Sequence, residues 1–156
     1  MVVAFSLFLD PLYPRLVRNS FMAPSLTYLN PASLPDASAF GYSQITIMEP
    51  GRLAFISGQV AWQSSGEAVP DSLTGQAELV VKNAKAALDA VGASSEDIVM
   101  VRIYMVDLTP DRIEELMPHL LAMFDGAKPS LTGVGVAALA GPELQLEIEM
   151  IARLPS

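Results

Sequence analysis

Three features of this 156-residue chain put polar or unusual groups into apolar surroundings. The first is Ser57-Gly58-Gln59, which closes the apolar run Leu53 to Ile56. A short hydroxyl, a bare stretch of backbone and an amide at a strand end suit the orienting wall of a small-molecule pocket. The plainer role for them is to satisfy backbone groups where the strand stops. The second is Arg102, which interrupts an otherwise apolar run from Ile98 to Val106. A guanidinium there needs a carboxylate partner, so a structural ion pair is its expected role. The third is the pair Gly133 and Gly135 at i and i+2. Two such glycines weaken a strand and mark a place where a ligand or a backbone comes close. His119 is the sole histidine; it falls opposite the apolar stripe of its helix, a solvent-facing position without a catalytic or metal role. The absence of cysteine removes thiolate nucleophiles, disulfides and cysteine-based metal sites. No glycine-rich phosphate loop, nucleophile triad or metal-ligand spacing occurs.

The elements that must hold these residues come from a chain that is 51% apolar and 17% charged. That balance is globular, and the length suits one domain with a core that needs no staples. The formal net charge of -8 repels phosphate backbones, and the basic residues are scattered, so no nucleic-acid partner is expected. The N-terminal MVVAFSLFL is too short to span a membrane and is stopped by Asp10. It also lacks the basic flank of a secretory signal. No membrane partner is expected, and the cysteine-free composition fits a cytoplasmic protein. Residues 1–21 read as an upstream extension or as a peripheral arm, equally suited to packing on a neighbouring subunit.

Periodicity supplies the order of elements. Ser43 to Met48 alternates polar and apolar, Pro50-Gly51 is a turn signal, and Arg52 to Ser57 is a second strand, so the two are expected to form a hairpin. Leu73 to Val91 repeats apolar residues at steps of three and four, and Gly92 is placed to stop the helix. Ile98 to Val106 is rich in β-branched residues and reads as a central strand covered on both faces. Thr109-Pro110 starts a second helix, with Ile113, Leu116, Met117, Leu120, Leu121 and Phe124 as its buried stripe. Leu131 to Leu139 and Leu144 to Ala152 are further strands. The order β-β-α-β-α-β-β implies an α+β sandwich, one mixed sheet with both helices on one face. The face opposite the helices then needs a cover, for which self-association is the expected solution.

Several short pieces in this order resemble the RidA/YjgF/L-PSP family. They are Gly41-Tyr42-Ser43-Gln44, Phe55-Ile56-Ser57-Gly58-Gln59, Gln76 with Asn83, Asp97-Ile98-Val99, Val106-Asp107-Leu108 and Leu146 to Ala152. The resemblance runs from about Pro31 to Leu154. It divides the chain into an N-terminal extension over 1–30, peripheral or flexible, and a RidA-like domain over 31–156. It implies a chorismate-mutase-like protomer, a homotrimer with ligand clefts between subunits, and hydrolysis of small enamines and imines to 2-oxo acids and ammonia without metal or cofactor. An older label for the same family is endoribonuclease, against which the acidic charge speaks.

The resemblance also implies the site. Tyr42 matches the family's pocket tyrosine, and Ser57 with the backbone at Gly58 lines the cleft. Glu147 matches a glutamate that can hold a water near the substrate, which makes it the candidate catalytic residue; Glu149 beside it reads as an exposed strand glutamate. The family's substrate-binding arginine follows a proline at the start of the strand that begins here near Leu131. This chain reads Pro129-Ser130-Leu131-Thr132-Gly133-Val134-Gly135, with Leu131 at the arginine position. Leu131, Thr132, Gly133 and Gly135 are therefore candidate substrate-binding residues of a cleft that has lost its carboxylate clamp, and Arg102 and Lys128 are the cations that could replace it. The expected ligand is a small metabolite without the usual carboxylate handle. The expected role is a divergent enzyme of the family or, alternatively, a non-catalytic binding trimer. Trp62 lies just past the strand end, either as a roof of the cleft or at a subunit seam.

Overall fold

The computed structural model describes residues 26–155, and the stretch 1–21 and most of the 1–30 extension lie outside the described residues. Six strands and two α-helices follow one another as β1 (Thr27–Leu29), β2 (Ile45–Ile47), β3 (Leu53–Gln59), α1 (Leu73–Ala90), β4 (Ile98–Val106), α2 (Pro110–Phe124), β5 (Ser130–Val136) and β6 (Leu146–Arg153). Four strands make one mixed sheet in the order β3-β6-β4-β5, with β4 and β5 parallel and the other pairs antiparallel. This is the α+β architecture expected.

The helices form where capping and periodicity agree. Ser72 accepts a hydrogen bond from the Gly75 N–H at the start of α1, and Gly92 ends it at a φ of +70°. That left-handed conformation suits glycine. Thr109 caps α2 by accepting from the Arg112 N–H, with Pro110 at the first helical position. Leu73, Ala77, Val80, Ala84 and Leu88 of α1 and Leu116, Leu120, Met123 and Phe124 of α2 are buried. They pack against Val101, Ile103, Met105, Leu146, Ile148 and Met150 of the two central strands. Each of the larger side chains, Val, Leu, Ile, Met and Phe, contributes about 1.5–3 kcal/mol on burial.

Three expectations change. The segments 43–48 and 52–57 do not form a hairpin. β2 pairs with β1, while β3 pairs with β6. The Pro50-Gly51 turn is real, but it hands the chain from a two-stranded ribbon to the main sheet, and Thr27–Leu29 supplies the partner strand. The central strand β4 is covered by the helices on one face only. Arg102 and Tyr104 point to the other face and are half-exposed, where Glu149 accepts from both, at 2.8 Å each. The α2 stripe is divided: Leu116 and Leu120 are in the core, whereas Ile113 and Leu121 are 41% and 45% exposed.

Two motif residues of α1 are structural. Gln76 is fully buried, donates to the Pro70 and Glu143 carbonyls and accepts from the Gln145 N–H. Asn83 donates to the carbonyls of Val60 and Trp62. Together they fasten the loops after β3 and before β6 to the helix.

Candidate functional site

The residues singled out in the sequence fall into two groups on different parts of the sheet. Tyr42, Leu131 and Gly133 share a cavity of about 380 Å³ on the helix side of β5. The register explains why. Leu131, Gly133 and Gly135 stand beside Val101, Ile103 and Met105 of β4, the residues buried under the helices, so their face of β5 is the helix face. Leu108, Leu116 and Met117 wall the cavity, and the exposed Phe40 and Ile113 form its rim. Gly133 is what leaves room, since a Cβ built there meets nothing within 4 Å.

Tyr42 reaches this position because the chain before β2 is tied to the start of β5. The Ser43 N–H donates to the Pro129 carbonyl at 3.1 Å, Ser43 bridges Ser130 in parallel fashion, and the Ser130 N–H donates to the Thr46 hydroxyl at 2.9 Å. Gly41 has a φ of +80°, and a Cβ on it would overlap Leu121 Cδ2. Only glycine lets the backbone pass this close to α2 in that conformation.

The second group lies at the opposite edge and on the opposite face. Ser57 and Gly58 of β3 line a shallow cavity of about 310 Å³ with Phe55 and Glu149. The Glu147 side chain packs directly over Gly58: a Cβ there would overlap its Oε1 and come within 2.7 Å of its Cγ. Phe55 beside it is 76% exposed and Leu53 37% exposed. The register of β3 shifts between Ile56 and Gln59, the bulge that turns Ser57 and Gly58 outward. Since β3 and β5 are separated by β6 and β4, Ser57 and Gly58 lie three strand spacings from Leu131 and Gly133, about 14 Å, and Glu147 on β6 lies two, about 10 Å.

Thr132 and Gly135 join neither group. Thr132 pairs with Arg102 on the open face, and Gly135 lies under Leu108, whose Cβ is 3.3 Å from a Cβ built there. Neither candidate cation reaches the first cavity. Arg102 is ion-paired to Glu149 at 2.8 Å on the open face, and Lys128 is exposed and not among the lining residues. Among the described residues, no charged side chain borders the cavity, and Tyr42 is the one lining residue with a polar side-chain group. Trp62 is 49% exposed and donates to Glu143 at 3.1 Å, away from both cavities. His119 is half-buried.

The electrostatics concentrate elsewhere. Desolvation pushes the Asp97 carboxyl up. The Arg153 guanidinium, with the Ser94 N–H and hydroxyl, outweighs it and holds the carboxyl below its ordinary value. Their ion pair is almost fully enclosed, with side chains 11% and 12% exposed. The hydrogen bond to Glu149 raises the Tyr104 hydroxyl above its ordinary value.

Sequence reasoning missed Ile113 and Met117 as site residues, because apolar residues on a helix read as core, and Phe40, because it precedes β2 outside any periodic segment. The available signal was that Ile113, Met117 and Leu121 repeat at i, i+4, offset from the Leu116–Leu120 stripe, so α2 carries two apolar faces.

Comparison with known proteins agrees with this architecture. YyfB of Yersinia pestis, a Rid-family protein of unknown function, superimposes with a TM-score of 0.78 at 36% identity, over 83% of this chain and 99% of its own. RidA of the Antarctic bacterium Psychrobacter sp. gives 0.61 at 30% identity, over 72% and 88%. In sequence, the RutC family protein YjgH of Escherichia coli is 36% identical, over 67% of this chain and 78% of its own length. TdcF of the same species, whose name proposes a reactive intermediate deaminase, is 31% identical over 65% and 79%. The family model described as Endoribonuclease L-PSP matches residues 33–154. With the fold, the element order and these matches in accord, the chain belongs to the Endoribonuclease L-PSP family, the group also called Rid or YjgF.

Proposed function

We propose that the chain is a divergent member of this family that hydrolyses a small enamine, imine or related carbonyl compound in clefts between the subunits of a homotrimer. The observation that carries this reading is the split of the site. The cavity at β5 holds Tyr42 and, among the described residues, no carboxylate or other charged group, while Glu147 stands two strand spacings away, about 10 Å, and Ser57 and Gly58 three, about 14 Å, on the opposite face, beside the exposed Phe55. A second copy seated against the open face can bring one group to the other. Water then adds to the imine carbon as Glu147 accepts one of its protons and returns it to nitrogen, and the C–N bond of the resulting carbinolamine breaks as Glu147 carries the hydroxyl proton to the departing nitrogen. The products are a carbonyl compound and ammonia.

Leu131 stands where relatives are expected to clamp a carboxylate, which places 2-imino acids outside the preferred substrates. Ammonia release from freshly generated 2-iminobutanoate and 2-aminoacrylate tests this, with wild type beside Leu131→Arg. The expected result is an inert wild type and an active variant. A wild type that accelerates both reactions overturns the lost clamp, and a wild type that does not sediment as a trimer overturns the shared cleft.

The apolar lining favours a second reading, a trimer that binds its ligand without turnover. Glu147→Gln separates the two: it abolishes turnover in an enzyme and leaves a binding module's affinity within a small factor.

A further inference from the structure

The cavity at β5 does not end at Phe40. A second, shallower hollow of about 470 Å³ continues along the outer face of α2, and the two share Phe40, Ile113 and Met117 as walls. Beyond these shared walls the second hollow runs between Pro110, Pro118 and Leu121. Phe40 is 64% exposed, Ile113 41% and Leu121 45%, so the apolar surface continues from an enclosed end to an open one. Two glycines keep the passage clear. Gly133 leaves the enclosed end unfilled, and Gly41 lets the backbone carrying Phe40 and Tyr42 lie against Leu121. Among the described residues, the one charged side chain along the path is Glu114, at the open end, and its carboxylate disfavours an anionic tail.

We propose that this cleft takes an uncharged molecule with an extended apolar chain. Its single polar group, a carbonyl or imine nitrogen, accepts from the Tyr42 hydroxyl beside Gly133, and its tail runs past Phe40 along α2. This rests on the site reading above and names its substrate class. Three properties fit such a ligand together: an inner end where Tyr42 brings one hydroxyl, walls without charge there among the described residues, and an exit lined by exposed apolar side chains. A short polar metabolite would leave the outer hollow empty and the enclosed end poorly filled.

The test is calorimetric titration of the full chain with two series of unreactive carbonyl compounds, the methyl ketones from 2-butanone to 2-decanone and the 2-oxo acids of matching length. Ketone affinity is expected to rise by about fourfold per added methylene until the tail leaves the groove, with the 2-oxo acids binding at least tenfold more weakly at each length. Gly133→Leu fills the enclosed end and should abolish binding. Phe40→Asp, at an exposed position, should remove the length dependence without disturbing the fold. Affinity independent of length, equal binding of the 2-oxo acids, binding unchanged in both variants, or no binding of either series overturns the proposal. Ketone binding as expected, with no turnover of the corresponding neutral imines, would instead remove the hydrolytic reading and leave the ligand class standing.

Discussion

The contact between Gly58 and Glu147 makes the role of the carboxylate measurable through a residue that has no side chain. Gly58 takes a backbone conformation open to alanine, so the substitution acts through space alone. The added Cβ overlaps Glu147 Oε1 and lies 2.7 Å from Cγ, where ordinary contact begins at 3.4 Å. The Cγ must therefore withdraw by about 0.7 Å, the difference of those two distances. The overlapped carboxylate must move further, on the order of 1 Å or more. A misplacement of this size costs roughly 10²-fold in rate for a group that must meet a reacting atom, and deleting a general base outright costs roughly 10²–10⁴-fold. Gly58→Ala is thus expected to lower kcat for hydrolysis of a neutral imine about 100-fold, with the melting temperature little changed because the flexible end of Glu147 absorbs the overlap. The assay is ammonia release above the spontaneous rate, with the imine made in situ from its primary amine by an amine oxidase. Gly58→Ala combined with Glu147→Gln should be no slower than the worse single variant, since both remove one function. If Gly58→Ala keeps the wild-type rate while Glu147→Gln loses it, the packing does not position the carboxylate. If Glu147→Gln itself keeps the rate, Glu147 is not the base.

Other outcomes follow from the same geometry. Leu131→Arg should improve binding of 2-imino and 2-oxo acids by about 2–5 kcal/mol once the carboxylate is paired in a desolvated cleft, read as a change in KM or Kd, and it should weaken the binding of neutral ketones. Asp97→Ala strands the enclosed Arg153 guanidinium and should destabilise the fold by about 3–5 kcal/mol, seen as a clear drop in melting temperature. Because the folded Asp97 carboxyl lies below its ordinary value, its contribution is complete above the unfolded value near 3.9 and is lost as pH falls through the folded one. Wild type should therefore lose stability on acidification in that window, and Asp97→Ala should lose less there. Gln76→Ala removes the partner of two part-buried carbonyls and one N–H and should cost about 1–3 kcal/mol by urea denaturation, with no selective effect on ligand affinity. Phe55→Asp on the open face should shift the light-scattering mass from three chains towards one.

How far the sequence could be read depended on which interactions decide each feature. Ile98–Val106 was recovered at its observed bounds, and α1 began at Leu73 as expected, because local period and capping fix them. Strand pairing did not follow from local signals. Pro50-Gly51 looked like a hairpin turn, yet β3 gains more by pairing with β6, where its Ile56 enters the core beside Met150. Thr27–Leu29 stays within the N-terminal extension because three residues carry too little period to show as a strand. At the site, Tyr42, Leu131 and Gly133 line one cavity. Thr132, included through the resemblance, stands on the other face of β5 beside Arg102, as the two-residue period of a strand requires. The distance between Tyr42 and Glu147 was not legible at all, because it depends on strand order and not on sequence spacing.

The edge formed by β5 has a consequence for the life of the chain before any ligand arrives. Only its first residue, Ser130, is bridged on the outer side among the described residues. The rest, Leu131 to Val136, carries no charge and no proline. An unpaired strand of that composition accepts any other strand offered to it. Protomers set apart by a change on the open face, Phe55→Asp included, should thus survive only at low concentration and fall out of solution over time. Selection for solubility and selection for the cleft would then act on the same surfaces, and a variant that keeps its fold but loses its neighbours would first be noticed as a precipitate.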